Sequence, residues 1–199
     1  MKTKILADQI SKCSDFASGV TPKTASYYSA ERNDHLNNEP KNLLGKLGEC
    51  AFFNIARGLD LCPSEPDFTI FQVCDYRRNF DADIVLGSGK KVHVKSNFDP
   101  WPYGRLPISW MMSVTDPMFH STMKDDEYIA LMKVSKDYSE ATLFSLFKIS
   151  DAKKKFLFVE PKIQRFIGKK KVIEQNLVLN LFDDIYDREP LGLIEKETA

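Results

Sequence analysis

The chain has 199 residues, with 28 Lys plus Arg against 28 Asp plus Glu, so its formal net charge is zero; 43% is hydrophobic and 28% charged. That length fits one domain able to bury a real core, and the aromatic content, with 14 Phe, argues against a largely disordered chain. Zero net charge excludes a strongly basic chain held to phosphates over its whole surface, but not a local basic face.

From the N-terminus, Lys2, Lys4, Asp8, Lys12 and Asp15 run through the apolar residues of Met1 to Gly19, so no signal peptide is expected there. Ile5 to Ala17 predicts a short amphipathic helix, with Ile5, Leu6, Ile10, Cys13 and Ala17 near helical spacing. The polar stretch from Gly19 to Pro40 reads as a linker or as an arm that packs onto a partner. Residues 1–40 are thus expected to form a helix and arm, and residues 41–199 the main domain.

From Asn42 the pattern changes. Leu43, Leu44, Leu47, Ala51 and Ile55 recur at helical spacing, with Asn42 as expected N-cap and Gly58 as terminator just past Arg57. Gly45 and Gly48 each weaken such a helix by roughly 1 kcal/mol relative to Ala, which predicts close approach of its backbone to a sheet or substrate. Three strand-like segments follow: Asp67 to Val73, Phe80 to Leu86 and Lys91 to Ser96. The last two flank Gly87-Ser88-Gly89, a hairpin turn. Beyond a Pro-rich loop at 99–104, strands are predicted at Ser109 to Val114, Tyr128 to Val134 and Ala141 to Ile149. Leu177 to Phe182 fits either a strand or a helix. The order predicts an α/β or α+β domain on a mixed sheet.

No apolar run reaches about 18 residues, so no membrane span is expected. Cys13, Cys50, Cys62 and Cys74 form no Cys-x-x-Cys pair and are too sparse for a disulfide scaffold, which points away from zinc and toward free thiols in a cytoplasmic, intracellular protein.

The chemistry concentrates in the hairpin. Alternation puts His93 and Lys95 on one face of the second strand, and Asp81 and Asp83 on one face of the first. A three-residue loop pairs Leu86 with Lys90, hence Asp83 with His93 and Asp81 with Lys95, which gathers all four on one face. A two-residue loop would scatter them, and the Gly at the third loop position favours the longer turn.

In these residues the chain resembles the PD-(D/E)XK nuclease superfamily, the restriction-endonuclease-like fold. The matching parts are Gly45-Lys46-Leu47-Gly48-Glu49 on the helix, Asp83-Ile84-Val85-Leu86 on one strand and His93-Val94-Lys95 on the next. The family usually has Glu, Asp or sometimes Gln where this chain has His93. The resemblance implies a mixed central sheet flanked by helices and a Mg²⁺-dependent DNA endonuclease of restriction, homing or phage type. It implies Asp83 and the backbone carbonyl of Val94 as metal ligands, Glu49 as a third directly or through water, and Lys95 orienting the attacking water. His93 is left as ligand, base or phosphate contact, with no organic cofactor. One negative charge fewer favours a single metal and tolerance of Mn²⁺. Glu49, roughly opposite the Leu43, Leu47 and Ala51 stripe, also reads as an exposed acid, and Asp81 as a surface group. Double-strand cleavage implies a homodimer. The competing class is a nuclease fold kept for DNA binding or assembly.

Basic groups are uneven. Lys153 to Lys171 holds eight basic residues against Glu160 alone, net +7, and Val172 to Ala199 two basic against seven acidic, net −5. Lys169, Lys170 and Lys171, with Arg77 and Arg78, are the expected DNA-contacting groups.

Overall fold

The structure is a computed structural model, and it describes residues 1–25, 38–69, 82–99, 109–113, 124–150, 157–159 and 176–180. These residues form two helices, α1 (Ala7–Ala25) and α2 (Asn38–Gly58). The strands are β1 (Lys2–Lys4), β2 (Ile84–Val85), β3 (Lys91–Asp99), β4 (Ser109–Ser113), β5 (Tyr128–Ser135), β6 (Glu140–Lys148), β7 (Leu157–Val159) and β8 (Asn176–Asn180). A five-stranded sheet runs in the order β1-β6-β5-β3-β2, and β4, β8 and β7 form a separate three-stranded antiparallel sheet. In the larger sheet only β3 and β5 are parallel, so it is mixed and the fold is α+β.

The N-terminal segment, expected as a helix and arm, is built into this fold. Thr3 stands opposite Ala141, which makes β1 an edge strand, and Cys13 and Ala17 of α1 are fully buried. Gln9, in the first turn of α1, accepts the Leu6 N–H at 3.0 Å, the back-bond of a helix cap. Its amide also pairs with Asn54 of α2 through two 2.9 Å hydrogen bonds, fastening the helices together.

Helix α2 begins four residues before the expected Asn42, with Pro40 in its first turn, where a missing N–H costs nothing. Asn42 is therefore not an N-cap. It donates instead to Thr21 Oγ1 of α1 at 3.0 Å. Leu47, Ala51, Phe52 and Ile55 are buried against Val92 and Val94 of β3 and Ala130, Met132 and Val134 of β5. Full burial of a side chain such as Leu47 or Phe52 is worth about 1.5–3 kcal/mol. Gly48 sits where a Cβ would lie 1.7 Å from Ser96 Oγ of β3, so this helix approaches the sheet by way of that glycine; Gly45 has nothing within 4 Å and makes no such approach.

The loop Gly87-Ser88-Gly89 has three residues. Leu86 N–H donates to the Lys90 carbonyl at 2.9 Å, and Gly89 takes φ +79°, a left-handed conformation that favours glycine. Val85 accordingly pairs with Lys91 and Ile84 with Val92, the expected register. The strand expected over Asp67 to Val73 is not formed at residues 67–69, and its remainder lies outside the described residues. Segment 176–180 resolves as a strand, and β1 and β7 were not expected.

Candidate functional site

β2 is shorter than its apolar pattern suggests, and Asp83 accounts for where its ladder stops. Its Oδ2 accepts the Val94 N–H at 2.6 Å, taking a backbone donor that the strand would otherwise pair with a carbonyl. In a strand the N–H and C=O of one residue project to the same side, so the Val94 carbonyl belongs to the edge that Asp83 occupies. The ladder ends at Ile84 opposite Val92, and Asp83 follows it at the edge of the sheet.

Glu49 reaches this corner from α2. Its side chain is only 12% exposed, so it is not the surface acid that its place opposite the leucine stripe suggests. Lys46, one turn earlier, donates to Glu49 Oε2 at 2.6 Å and to the Asp67 carbonyl at 2.8 Å. The ammonium also lies 4.6 Å from the centre of the Phe16 ring and 5.7 Å from that of Phe68, over aromatic faces that attract a cation. Burial, then the negative charge of Asp83, push the Glu49 carboxyl up from 4.5 to about 8, with Lys46 pulling the other way. At neutral pH most Glu49 side chains therefore keep their proton. Ionising Glu49 would place a second negative charge in the field of Asp83, a repulsion that a bound cation would relieve.

The other expected residues lie elsewhere on the sheet. Val92 and Val94 of β3 are buried toward α2, and Ser96 Oγ, beneath Gly48, is a buried hydroxyl with no hydrogen-bond partner among the described residues. By alternation His93 and Lys95 project from the opposite face. His93 is buried, and its Nε2 lies 2.8 Å from Oε2 of Glu127, itself buried at the entry to β5. Lys95 is half-buried on the same face. Asp83 thus sits at the edge of β3 through its bond to the Val94 N–H, where its charge is felt by Glu49 of α2, while His93 and Lys95 belong to the face of β3 away from α2. Asp81, Arg77, Arg78, Lys169, Lys170 and Lys171 lie outside the described residues.

Two groups at this site escape the sequence reading. Lys46 carried a sequence signal, its spacing of three from Glu49 on a helix. Glu127 carried none, because Asp125-Asp126-Glu127 before an apolar strand reads as a solvated turn.

A buried thiol pair adjoins this corner. Cys13 of α1 and Cys50 of α2, next to Glu49, have their sulfurs 3.6 Å apart and are both free thiols. Their shared hydrogen bond, then burial, hold the Cys13 thiol up, so it stays protonated.

The donors at the corner, carboxylate and carbonyl oxygens, are those a hard divalent ion takes. Among the described residues, no group of three or more His, Cys, Asp or Glu side chains is gathered so as to hold a metal ion. A metal here would rest on two carboxylates and a carbonyl. Among the described residues no helix is long and apolar enough to cross a membrane. No protein-family model, curated protein or solved structure matches the chain.

Proposed function

We propose that this chain is a metal-dependent DNA endonuclease of the restriction-endonuclease-like class, hydrolysing phosphodiester bonds as a homodimer in a restriction, homing or phage-type system. The observation that carries it is Asp83 at the end of the β2–β3 ladder, bound to the Val94 N–H at 2.6 Å on the hairpin that carries Lys95, with its negative charge felt by the buried Glu49 of α2. Asp83, the Val94 carbonyl and Glu49 would hold Mg²⁺ or Mn²⁺. Such an ion activates water and neutralises phosphate charge when bound. Lys95 places a cation on the same hairpin to meet charge developing on the phosphate. Arg77, Arg78 and Lys169 to Lys171 supply the basic surface for the DNA backbone, and binding through them would weaken as salt rises.

Plasmid nicking in Mg²⁺ or Mn²⁺ tests the assignment. Wild type should nick, and Asp83→Ala and Lys95→Ala should each lose about 10²-fold or more, the scale seen when one charge-stabilising group is removed. Activity that survives both substitutions would sink it.

A second reading is favoured by a specific feature: the polar groups of the site already have partners within the chain. Lys46 holds Glu49, the Val94 N–H holds Asp83, and Glu127 holds His93. Such closure suits a nuclease fold kept for DNA binding or assembly. That reading predicts DNA retention in a gel shift, without nicking under either metal.

A further inference from the structure

The His93–Glu127 contact is a buried titratable pair that the proposed reaction leaves unused. His93 is 2% exposed and Glu127 7%; His93 lies on β3, and Glu127 immediately precedes β5, the strand parallel to it. Burying a carboxylate and an imidazole gives up hydration that a pair of apolar residues at the same places would not lose.

Glu127 is held at its backbone as well as its side chain. Its N–H donates to the Lys124 carbonyl at 3.1 Å, and its own carbonyl accepts the Ile149 N–H at 2.9 Å. The same Oε2 that faces His93 also accepts the Lys124 N–H at 3.3 Å, so the turn of 124–127 aims the carboxylate before any ligand arrives. Ile129 lies beside His93 in the parallel register, which puts Glu127 at the mouth of β5 on the face shared by His93 and Lys95.

We propose that Glu127 is a positioning residue for His93: it holds the proton on Nε2, fixes the ring, and leaves Nδ1 as the lone-pair nitrogen. An ionised carboxylate is acceptor-only, so the nitrogen bonded to it must carry the hydrogen, and a neutral imidazole then has its acceptor at the other nitrogen. Of the three roles open to His93, this selects metal ligand or acceptor from water and removes that of a neutral donor to phosphate. A carboxylate bonded to the far nitrogen of a working histidine is a recurrent way to fix tautomer and raise basicity. For its substrate the inference rests on the nuclease reading; the tautomer does not.

The primary test is long-range ¹H–¹⁵N correlation on the full chain, free of metal and DNA. The His93 signals are assigned by comparison with His93→Gln. Wild type should give the Nε2–H tautomer. Glu127→Gln should keep it, because the amide oxygen can still accept from both Nε2–H and the Lys124 N–H, while Glu127→Ala should give a mixture. An Nδ1–H tautomer in wild type would overturn the proposal, and so would an unchanged tautomer in a folded Glu127→Ala. Should Glu127→Ala not fold, wild type and the isosteric Glu127→Gln still decide. Nicking by Glu127→Gln should fall roughly 10- to 100-fold, the loss typical of such partners, mainly in kcat and with little change in KM. Wild-type rates in that variant would refute the working role. A wild type that shows the expected tautomer but never nicks refutes the nuclease reading and the working role together, while the ring assignment stands.

Discussion

Replacing Glu49 by Gln should make the protein increasingly more stable than wild type as pH rises from about 5 to 8. The native carboxyl is raised to about 8 by burial and by Asp83, against an ordinary 4.5. Between those values the unfolded chain has released the proton and the native state still holds it. Wild-type stability therefore falls with pH by roughly 1.4 kcal/mol per unit, reaching at most about 5 kcal/mol above pH 8. The contribution is intact below pH 4.5, where both states are protonated, and is lost as pH passes through 8. The amide of the Glu49→Gln variant does not titrate and can still accept from Lys46, so that protein lacks this slope. Urea unfolding of both proteins at pH 5, 6, 7 and 8 measures the difference, in which titrating groups remote from Glu49 cancel. A difference that stays flat across that range would show that Glu49 is not buried beside Asp83. Mn²⁺ at pH 8 should narrow the gap, because a cation beside the ionised pair replaces the missing proton and stabilises the native state by mass action.

Two further outcomes are expected from the packing. Gly48→Ala should cost about 1–3 kcal/mol, because the new Cβ would meet Ser96 Oγ and would lie 2.9 Å from Ser96 Cβ, and adding Ser96→Gly should recover most of it. Gly45→Ala, with nothing within 4 Å, should instead stabilise by up to about 1 kcal/mol; thermal midpoints of the three variants, and any reversal of that order, check the packing of α2 on β3. A thiol reagent should modify exposed Cys62 rapidly in native protein and reach Cys13 and Cys50 only on unfolding, as mass mapping of the labelled peptides would reveal; early labelling of Cys50 would contradict the α1–α2 contact.

The hairpin was legible because two local rules agree there: period-two alternation on both strands, and a glycine at the loop position that needs positive φ. Its register then followed without tertiary information. The start of α2 was not legible in the same way, since Asn42 has the chemistry of an N-cap and only its bond to Thr21 reveals a tether between helices. β1 was invisible because Lys2-Thr3-Lys4 has no apolar alternation; it is a strand only because β6 offers an edge. The shortening of β2 reflects a side chain competing with backbone, which strand propensity does not register. Asp83 was found by strand alternation, whereas Glu49 was singled out only by the family resemblance, its helical spacing reading as an exposed acid. His93 and Glu127 meet across a parallel strand pair, 34 residues apart, and nothing near either one announces the other.

The edge position of β1 also bears on the order in which the molecule assembles. Met1 and Leu143 exchange hydrogen bonds across 142 residues of chain, the N-terminal amine donating to the Leu143 carbonyl at 3.3 Å and the Leu143 N–H to the Met1 carbonyl at 2.7 Å. During synthesis Lys2–Lys4 must wait for β6 before they have a partner. β3 must likewise wait for β5, whereas the β2–β3 and β5–β6 hairpins can close as soon as they are made. Contacts of such long sequence separation form slowly and leave strand edges open meanwhile. The nascent chain thus carries a paired hairpin well before it carries a sheet, and in the five-stranded sheet the last seam to close is the one between β1 and β6.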